Sequence, residues 1–171
     1  RFSVKFAENV YRILFIISFL ILLIFDWRIM LVGFFIALSG VLYNKKPFDF
    51  KKKPFLGLLI NILIGFLLLV SGFVHSTDSL YQLFEIKFLI YSFPYLFLFT
   101  AVSILANVPD IDGDKECGRN TIVMKIGISK TVIFCSILVL LSLLLSILND
   151  DPLGSTSIVT IFPFFLYALF R

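Results

Sequence analysis

A chain of 171 residues that is 60% hydrophobic and only 15% charged, with a mean hydropathy of +1.04, carries more apolar surface than a water-soluble domain of this length can bury. A soluble globule is excluded. The formal charge of +4, with a single His, sits in too apolar a setting for a nucleic-acid binder, so no nucleic-acid partner is expected and the basic excess is read against a bilayer.

Six apolar stretches follow one another: Val10 to Phe25, Trp27 to Tyr43, Phe55 to Val74, Ile86 to Ala106, Val132 to Leu148 and Ile158 to Phe170. Crossing a hydrocarbon core takes about 20 residues at 1.5 Å each, so the third and fourth span outright and the first, second and fifth span with snorkelling flanks. The sixth is cut short by the chain end. No water in a bilayer can satisfy backbone N–H and C=O groups, and no alternating barrel pattern occurs, so these runs must be helices. The expected fold is all-α, a multi-span transmembrane helical bundle with six spans in a single domain, residues 1–171. The chain opens at Arg1 without Met, lacks a signal-peptide pattern and closes at Arg171 behind an apolar run. We read it as an internal piece of a longer protein, truncated at both ends.

Six passes place 13 of the 15 Lys and Arg residues on one side, leaving Arg28 and Lys87 on the other. That asymmetry predicts a cytoplasmic face for the loops around Lys45 to Lys53 and Asn107 to Lys130. Trp27, Tyr11, Tyr43 and Tyr81 fall near span ends, as an aromatic belt requires. Cys117 and Cys135 form no CxxC pair and suggest neither zinc nor disulfide. His75 is read as an interfacial residue, and mid-membrane Asn61 as facing the bundle in an interhelical hydrogen bond. Pro94 is expected to kink the fourth span.

Behind that span lies Asn107-Val108-Pro109-Asp110-Ile111-Asp112-Gly113-Asp114, running on to Thr121. Asn107, Asp110 and Asp114 stand at i, i+3, i+7, one face of a continuing helix. Pro109 offers a second outcome, a break followed by a new turn. In both, two carboxylates remain one turn apart. They repel unless a cation sits between them, and hard oxygen ligands with room for water suit Mg²⁺, which commonly shares a phosphate. The plainer reading is a solvated acidic loop paired with Lys115 and Arg119. A calcium EF-hand fails, because Lys115 stands where Gly is needed and Thr121 where Glu is needed. The CDP-alcohol phosphotransferase pattern fails for want of a later Asp pair.

Tyr43-Asn44-Lys45-Lys46-Pro47-Phe48-Asp49-Phe50-Lys51-Lys52-Lys53-Pro54 sets five lysines against one aspartate on the same side. Alone, such a cluster signals topology and membrane-lipid contact. Beside a metal site it becomes a candidate diphosphate receptor, since ammonium groups and a metal neutralise a diphosphate leaving group.

The Asn107 to Gly127 stretch resembles the second Asp-rich motif of the UbiA family of intramembrane prenyltransferases, D/N-x-x-D-x-x-x-D, then G-x-x-T, then Gly. Here those positions are Asn107, Asp110, Asp114, Gly118, Thr121 and Gly127. Tyr43-Asn44 through Phe50-Lys51-Lys52-Lys53-Pro54 is similar to the family's Y-S-x(5)-L-K-x-x-P segment. The order fits the third to eighth helices of a nine-helix fold and covers essentially the whole chain. The family's first motif, N-D-x-x-D-x-x-x-D, is absent: the acids before Lys51 are Glu8, Asp26 and Asp49. Truncation upstream accounts for this, and the fragment alone is expected to be inactive. Asn107 replaces the commoner Asp, and Asn44 the commoner Ser.

The resemblance implies transfer of a prenyl group from a polyprenyl diphosphate to an aromatic or other lipophilic acceptor within the membrane, with Mg²⁺ as cofactor. Asp110 and Asp114 would be catalytic and, with Asn107, hold the metal. Lys51, Arg119, Tyr43 and Asn44 would bind the diphosphate. Loss of diphosphate leaves an allylic cation that water quenches, so the reaction calls for a dry cavity, whose walls aromatic faces would suit. Tyr91 and Tyr95 are candidates for such walls, and in a chain with 22 Phe the plainer reading of both is ordinary lipid-facing or packing aromatics. Quinone precursors, tetrapyrroles, haem and glycerol-phosphate lipids are all open as acceptors. The rival readings are a lipid-linked sugar-phosphate transferase of the same superfamily and a non-catalytic transporter or scaffold.

Overall fold

The computed structural model describes residues 3–77 and 80–169, with backbone alone at 4, 25 and 161–169. Among the described residues there are helices and turns and no strand. Two long helices open the chain, α1 (Val4–Phe25) and α2 (Trp27–Asn44), joined by Asp26 alone. Asp26 ends α1 in extended conformation and caps α2, its Oδ1 accepting the Arg28 N–H at 2.8 Å. A 3-10 turn at Phe50–Lys52 leads into α3 (Pro54–Ser76), whose first position is proline, where a missing N–H is harmless. A second 3-10 turn, Leu80–Phe84, precedes α4 (Ile86–Leu105). Two short helices follow, α5 (Ile111–Glu116) and α6 (Ile122–Ile126), then α7 (Ile128–Leu148) and α8 (Pro152–Leu169).

Five of these, α1, α2, α3, α4 and α7, are long and apolar enough to cross a membrane. The sixth expected span falls in α8, with its last residue, Phe170, outside the described residues. The helices outrun the apolar stretches that announced them: α1 begins six residues before Val10, and α7 starts at Ile128 and takes in Lys130. Lys and Ser are tolerable helix formers, so a span's helix continues where its hydrophobicity stops.

Two cores hold the bundle. Val32, Val70, Val74 and Phe88 join α2, α3 and α4, with Phe73 stacked 4.5 Å from Phe88. Ala101, Ile104, Val123, Cys135, Leu138, Val139 and Ile158 join α4, α6, α7 and α8. Outward faces are Leu, Ile and Phe, as lipid contact requires. Lipid removes the hydrophobic drive for helix pairing, so close packing relies on small residues. α7 presents such a face to its neighbours: Thr131, Cys135, Ser142 and Ser146 are all fully buried, Ser142 against Pro94 of α4 and Ser146 beside Gly154 of α8. Pro94, inside α4, has no N–H for the Ile90 carbonyl one turn back. The Asn149 amide supplies a donor to that carbonyl at 3.3 Å, and the Ser142 hydroxyl donates to the Pro94 carbonyl at 2.6 Å. The proline thus sits where α7 cross-links α4.

Candidate diphosphate site

Two connections build the polar end of the α3–α4 pair. In the first, Lys45 ends α2 and Asp49 adopts a left-handed backbone, φ 43°. That turns the chain into the 3-10 element and folds it back over the first turn of α3. Gly57 permits the approach, since a Cβ there would stand 3.1 Å from the Phe50 carbonyl oxygen and 3.7 Å from the Tyr43 ring. The Asp49 carboxylate, mostly buried, lies 3.1 Å from the Lys52 ammonium and 4.0 Å from that of Lys51.

In the second connection α4 ends at Leu105, and the Asn107 and Val108 N–H groups donate to Ile104 and Leu105 in tight turns. Pro109 and its restricted predecessor prevent continuation, so Asn107, Asp110 and Asp114 do not share one unbroken helix. Asp110 instead precedes α5, its carbonyl accepting the Asp114 N–H at 2.8 Å. The two carboxylates remain one turn apart, Asp110 exposed and Asp114 buried. Gly118, at φ 66°, reverses the chain so that Arg119 returns to Asp114: its guanidinium donates to Oδ1 at 3.0 Å. Oδ2 of Asp114 is buried with no hydrogen-bond partner. Asp112, between Asp110 and Asp114, lies in solvent with its carboxylate 3.8 Å from the Lys115 ammonium.

Between these connections is a cleft lined by Tyr43, Lys51, Asn61, Asn107, Asn120 and Thr121 among others. Its volume of about 30 Å³ admits one or two oxygen atoms of a ligand rather than a whole headgroup. Of the residues singled out from the sequence, Tyr43, Lys51 and Asn107 line this one cleft. Asn44 is not part of it: its exposed amide donates to the Gly40 carbonyl at 3.1 Å. Asp110, Asp114 and Arg119 stand outside the lining. The Asn107 amide donates to the Ser103 carbonyl at 2.8 Å, which leaves its own oxygen as the acceptor.

Three cleft residues were given no ligand role from sequence. Thr121 is 9% exposed, and its hydroxyl, buried, has no partner. Asn120 precedes it in the connection between α5 and α6. Asn61, expected in an interhelical hydrogen bond, has none among the described residues and lines the cleft. The signal was present for Asn61, because an amide inside a span is expensive without a partner. Tyr91 and Tyr95 are not among the residues that line this cleft; both line a separate space of about 890 Å³, together with apolar side chains and Gln82, Glu85 and Lys87.

The oxygen chemistry here suits a hard cation. Among the described residues no three His, Cys, Asp or Glu side chains come together, and the acidic segment supplies the Asp110 and Asp114 carboxylates, one turn apart, with the Asn107 oxygen in the turn before them. That set leaves coordination positions for water and phosphate, the usual condition of Mg²⁺. The unpartnered Oδ2 of Asp114 is the strongest sign of fit, since a buried carboxylate oxygen is otherwise costly.

Comparison with known proteins agrees with these features. The chain is 28% identical over 102 residues to the 1,4-dihydroxy-2-naphthoate octaprenyltransferase of Bacillus subtilis (strain 168). The match takes in 60% of this chain and spans 32% of that protein's length. No solved structure matches. The model of the UbiA prenyltransferase family matches residues 1–171 throughout. An all-helical membrane bundle, with its tyrosine–lysine and Asn–Asp segments meeting at one end, is thereby assigned: the chain belongs to the UbiA prenyltransferase family.

Proposed function

We propose that this protein, within its intact chain, transfers a prenyl group from a polyprenyl diphosphate to an aromatic acceptor inside the membrane, using Mg²⁺. The observation that carries this reading is the cleft where Tyr43 and Lys51 from one connection meet Asn107 and Thr121 from the other. The relative's name supports an aromatic acceptor and a long prenyl donor. The charge asymmetry supports a cytoplasmic location for both loops.

Asp110, Asp114 and the Asn107 oxygen would hold the cation. Bound there, Mg²⁺ supplies charge neutralisation for a departing diphosphate. Arg119 fixes Asp114 through Oδ1 and keeps Oδ2 unengaged, while its remaining N–H groups reach the diphosphate. Lys51 adds a positive charge from the opposite wall, and the Tyr43 and Thr121 hydroxyls donate to oxygens entering the cleft. Asn44 lies one residue beyond Tyr43 and would join once its amide leaves the Gly40 carbonyl. The apolar bundle behind the cleft excludes water from the allylic cation, so that the acceptor ring captures it.

The test uses the full-length protein in liposomes. Asp110→Asn with Asp114→Asn should abolish Mg²⁺-dependent transfer and leave the folded fraction unchanged. Lys51→Gln should raise KM for the prenyl diphosphate by about tenfold, the loss of one charge-assisted contact. Mass spectrometry of the product separates prenyl transfer from sugar-phosphate transfer, and undiminished turnover in the double variant refutes the assignment of the acids.

A further inference from the structure

We propose that Tyr95 is a chain-length stop: its ring, anchored by Asp151, limits how far a prenyl chain extends along the α3–α4 seam. The proposal rests on the prenyl-transfer reading and adds a specificity-determining residue to it.

One face of α3 walls three successive spaces. Gly57, Asn61, Gly65, Leu69, Gly72 and Ser76 recur at intervals of four or, once, three residues, which aligns them along the helix. The first two line the polar cleft beside Lys51. Gly65 and Leu69 line a middle space of about 390 Å³, closed on the α4 side by Leu98, Phe99 and Val102. Leu69, Gly72 and Ser76 line the outer space of about 890 Å³. The three spaces follow one another along this face, with the Phe99 ring against Gly65 between the cleft and the middle space and Gln82, Glu85 and Lys87 among the lining of the outer one. A ligand with an anionic head and a long apolar tail fits that order, its tail entering the middle space where the Phe99 ring swings off Gly65. At the head end, the buried unpartnered Thr121 hydroxyl faces the cleft and awaits an acceptor.

Leu69 and Tyr95 line both apolar spaces and so stand at their junction. Of the two, the tyrosine is fixed from outside the seam. Its hydroxyl donates to Oδ2 of Asp151 at 2.6 Å, across 56 residues of sequence. Oδ1 of the same carboxylate accepts the Leu153 and Gly154 N–H groups, each at 3.1 Å, at the start of α8. Gly154 is packed so tightly there that a Cβ would stand 2.6 Å from Oδ2. The ring is therefore tied to a carboxylate that the α7–α8 turn holds in place.

Position sets the length. Leu69 lies two turns beyond Asn61, about 12 Å along the helix. An extended chain gains about 1.2 Å per single bond, so about ten bonds reach the junction, between two and three isoprene units. A geranyl tail ends before Tyr95. A farnesyl or longer tail must pass it into the outer space, which is more than twice the volume of the middle one.

The experiment offers the full-length protein geranyl, farnesyl, geranylgeranyl and octaprenyl diphosphates in competition and reads product masses. Tyr95→Ala should raise use of farnesyl and longer donors relative to geranyl by about tenfold, the scale at which an apolar pocket discriminates chain size. Tyr95→Trp should lower that ratio. Tyr95→Phe, which keeps the ring and loses its anchor, should raise it by less than Tyr95→Ala, and it carries the test if Tyr95→Ala does not fold. A length profile identical across active variants overturns the stop and leaves prenyl transfer standing. A folded wild-type protein that uses none of the four donors overturns the prenyl-transfer reading and, with it, the stop.

Discussion

Gly65→Ala tests how closely the Phe99 ring of α4 packs on α3. A Cβ at this position would stand 2.5 Å from Cδ1 of Phe99 and 2.7 Å from Cε1 and Cγ. Carbon atoms rest at about 3.5–4.0 Å, so the ring or the helix must move by about 1 Å. Both residues are wholly or partly covered, and Phe99 lines the middle space, so displacement is resisted on one side and intrudes on that space on the other. Overpacking of this kind costs about 1–3 kcal/mol. The folded-to-unfolded ratio should therefore fall by about 5- to 150-fold, read in bicelles by steric trapping. Phe99→Leu in the Gly65→Ala background should recover most of the loss, giving a coupling of about 0.5–3 kcal/mol in the double-mutant cycle. Full wild-type stability for Gly65→Ala, or additivity of the two changes, would refute the contact.

Two further outcomes follow from other contacts. Ser142→Ala removes the hydroxyl that donates to the Pro94 carbonyl and should cost about 0.6 kcal/mol, at most about 1.7 kcal/mol, by the same unfolding measurement. At the opposite end of α2, the Arg28 guanidinium hydrogen-bonded to the Asp26 carboxylate, and the Arg28 N–H bonded to it, hold the Asp26 pKa below its ordinary value. Because the folded pKa is the lower one, this contribution is complete above the unfolded pKa of about 3.9 and disappears as pH falls through the folded value. Unfolding midpoints measured in detergent from neutral pH downward should show this acid loss in the wild type and lack it in Asp26→Asn. That arginine also donates to the Thr77 carbonyl at 3.0 Å, so the variant should loosen the ends of α2 and α3 together.

The bundle was legible in the sequence because lipid leaves few solutions: long apolar runs must be helices, and they are. Helix ends were less legible, since Lys130 and the residues before Val10 carry no hydrophobic signal yet continue a helix already begun. In the candidate site, Lys51 and Asn107 drew attention by residue type and spacing and Tyr43 by the family resemblance, and the three line one cleft. The acidic segment was half legible. Its periodicity suited one helix, and Pro109 decided for a turn, placing Asp110 and Asp114 one turn apart in a new element. Arg119 was read both as an ion-pair partner of the acidic loop and, through the resemblance, as a diphosphate ligand; the structure pairs it with Asp114, by way of the Gly118 reversal. Thr121 lay within the motif, but its hydroxyl's lack of a partner is a property of packing. The Tyr95–Asp151 and Ser142–Pro94 bonds join residues about fifty positions apart and leave no local trace.

The most direct measurement is diffraction from the full-length protein crystallised with Mn²⁺ in place of Mg²⁺ and a thio-substituted prenyl diphosphate. The account predicts an anomalous peak about 2.1 Å from a carboxylate oxygen of Asp110 or Asp114, with diphosphate oxygens on its other side and Lys51 facing them. A bound analogue whose diphosphate lies elsewhere, with no ion beside either aspartate, would contradict it.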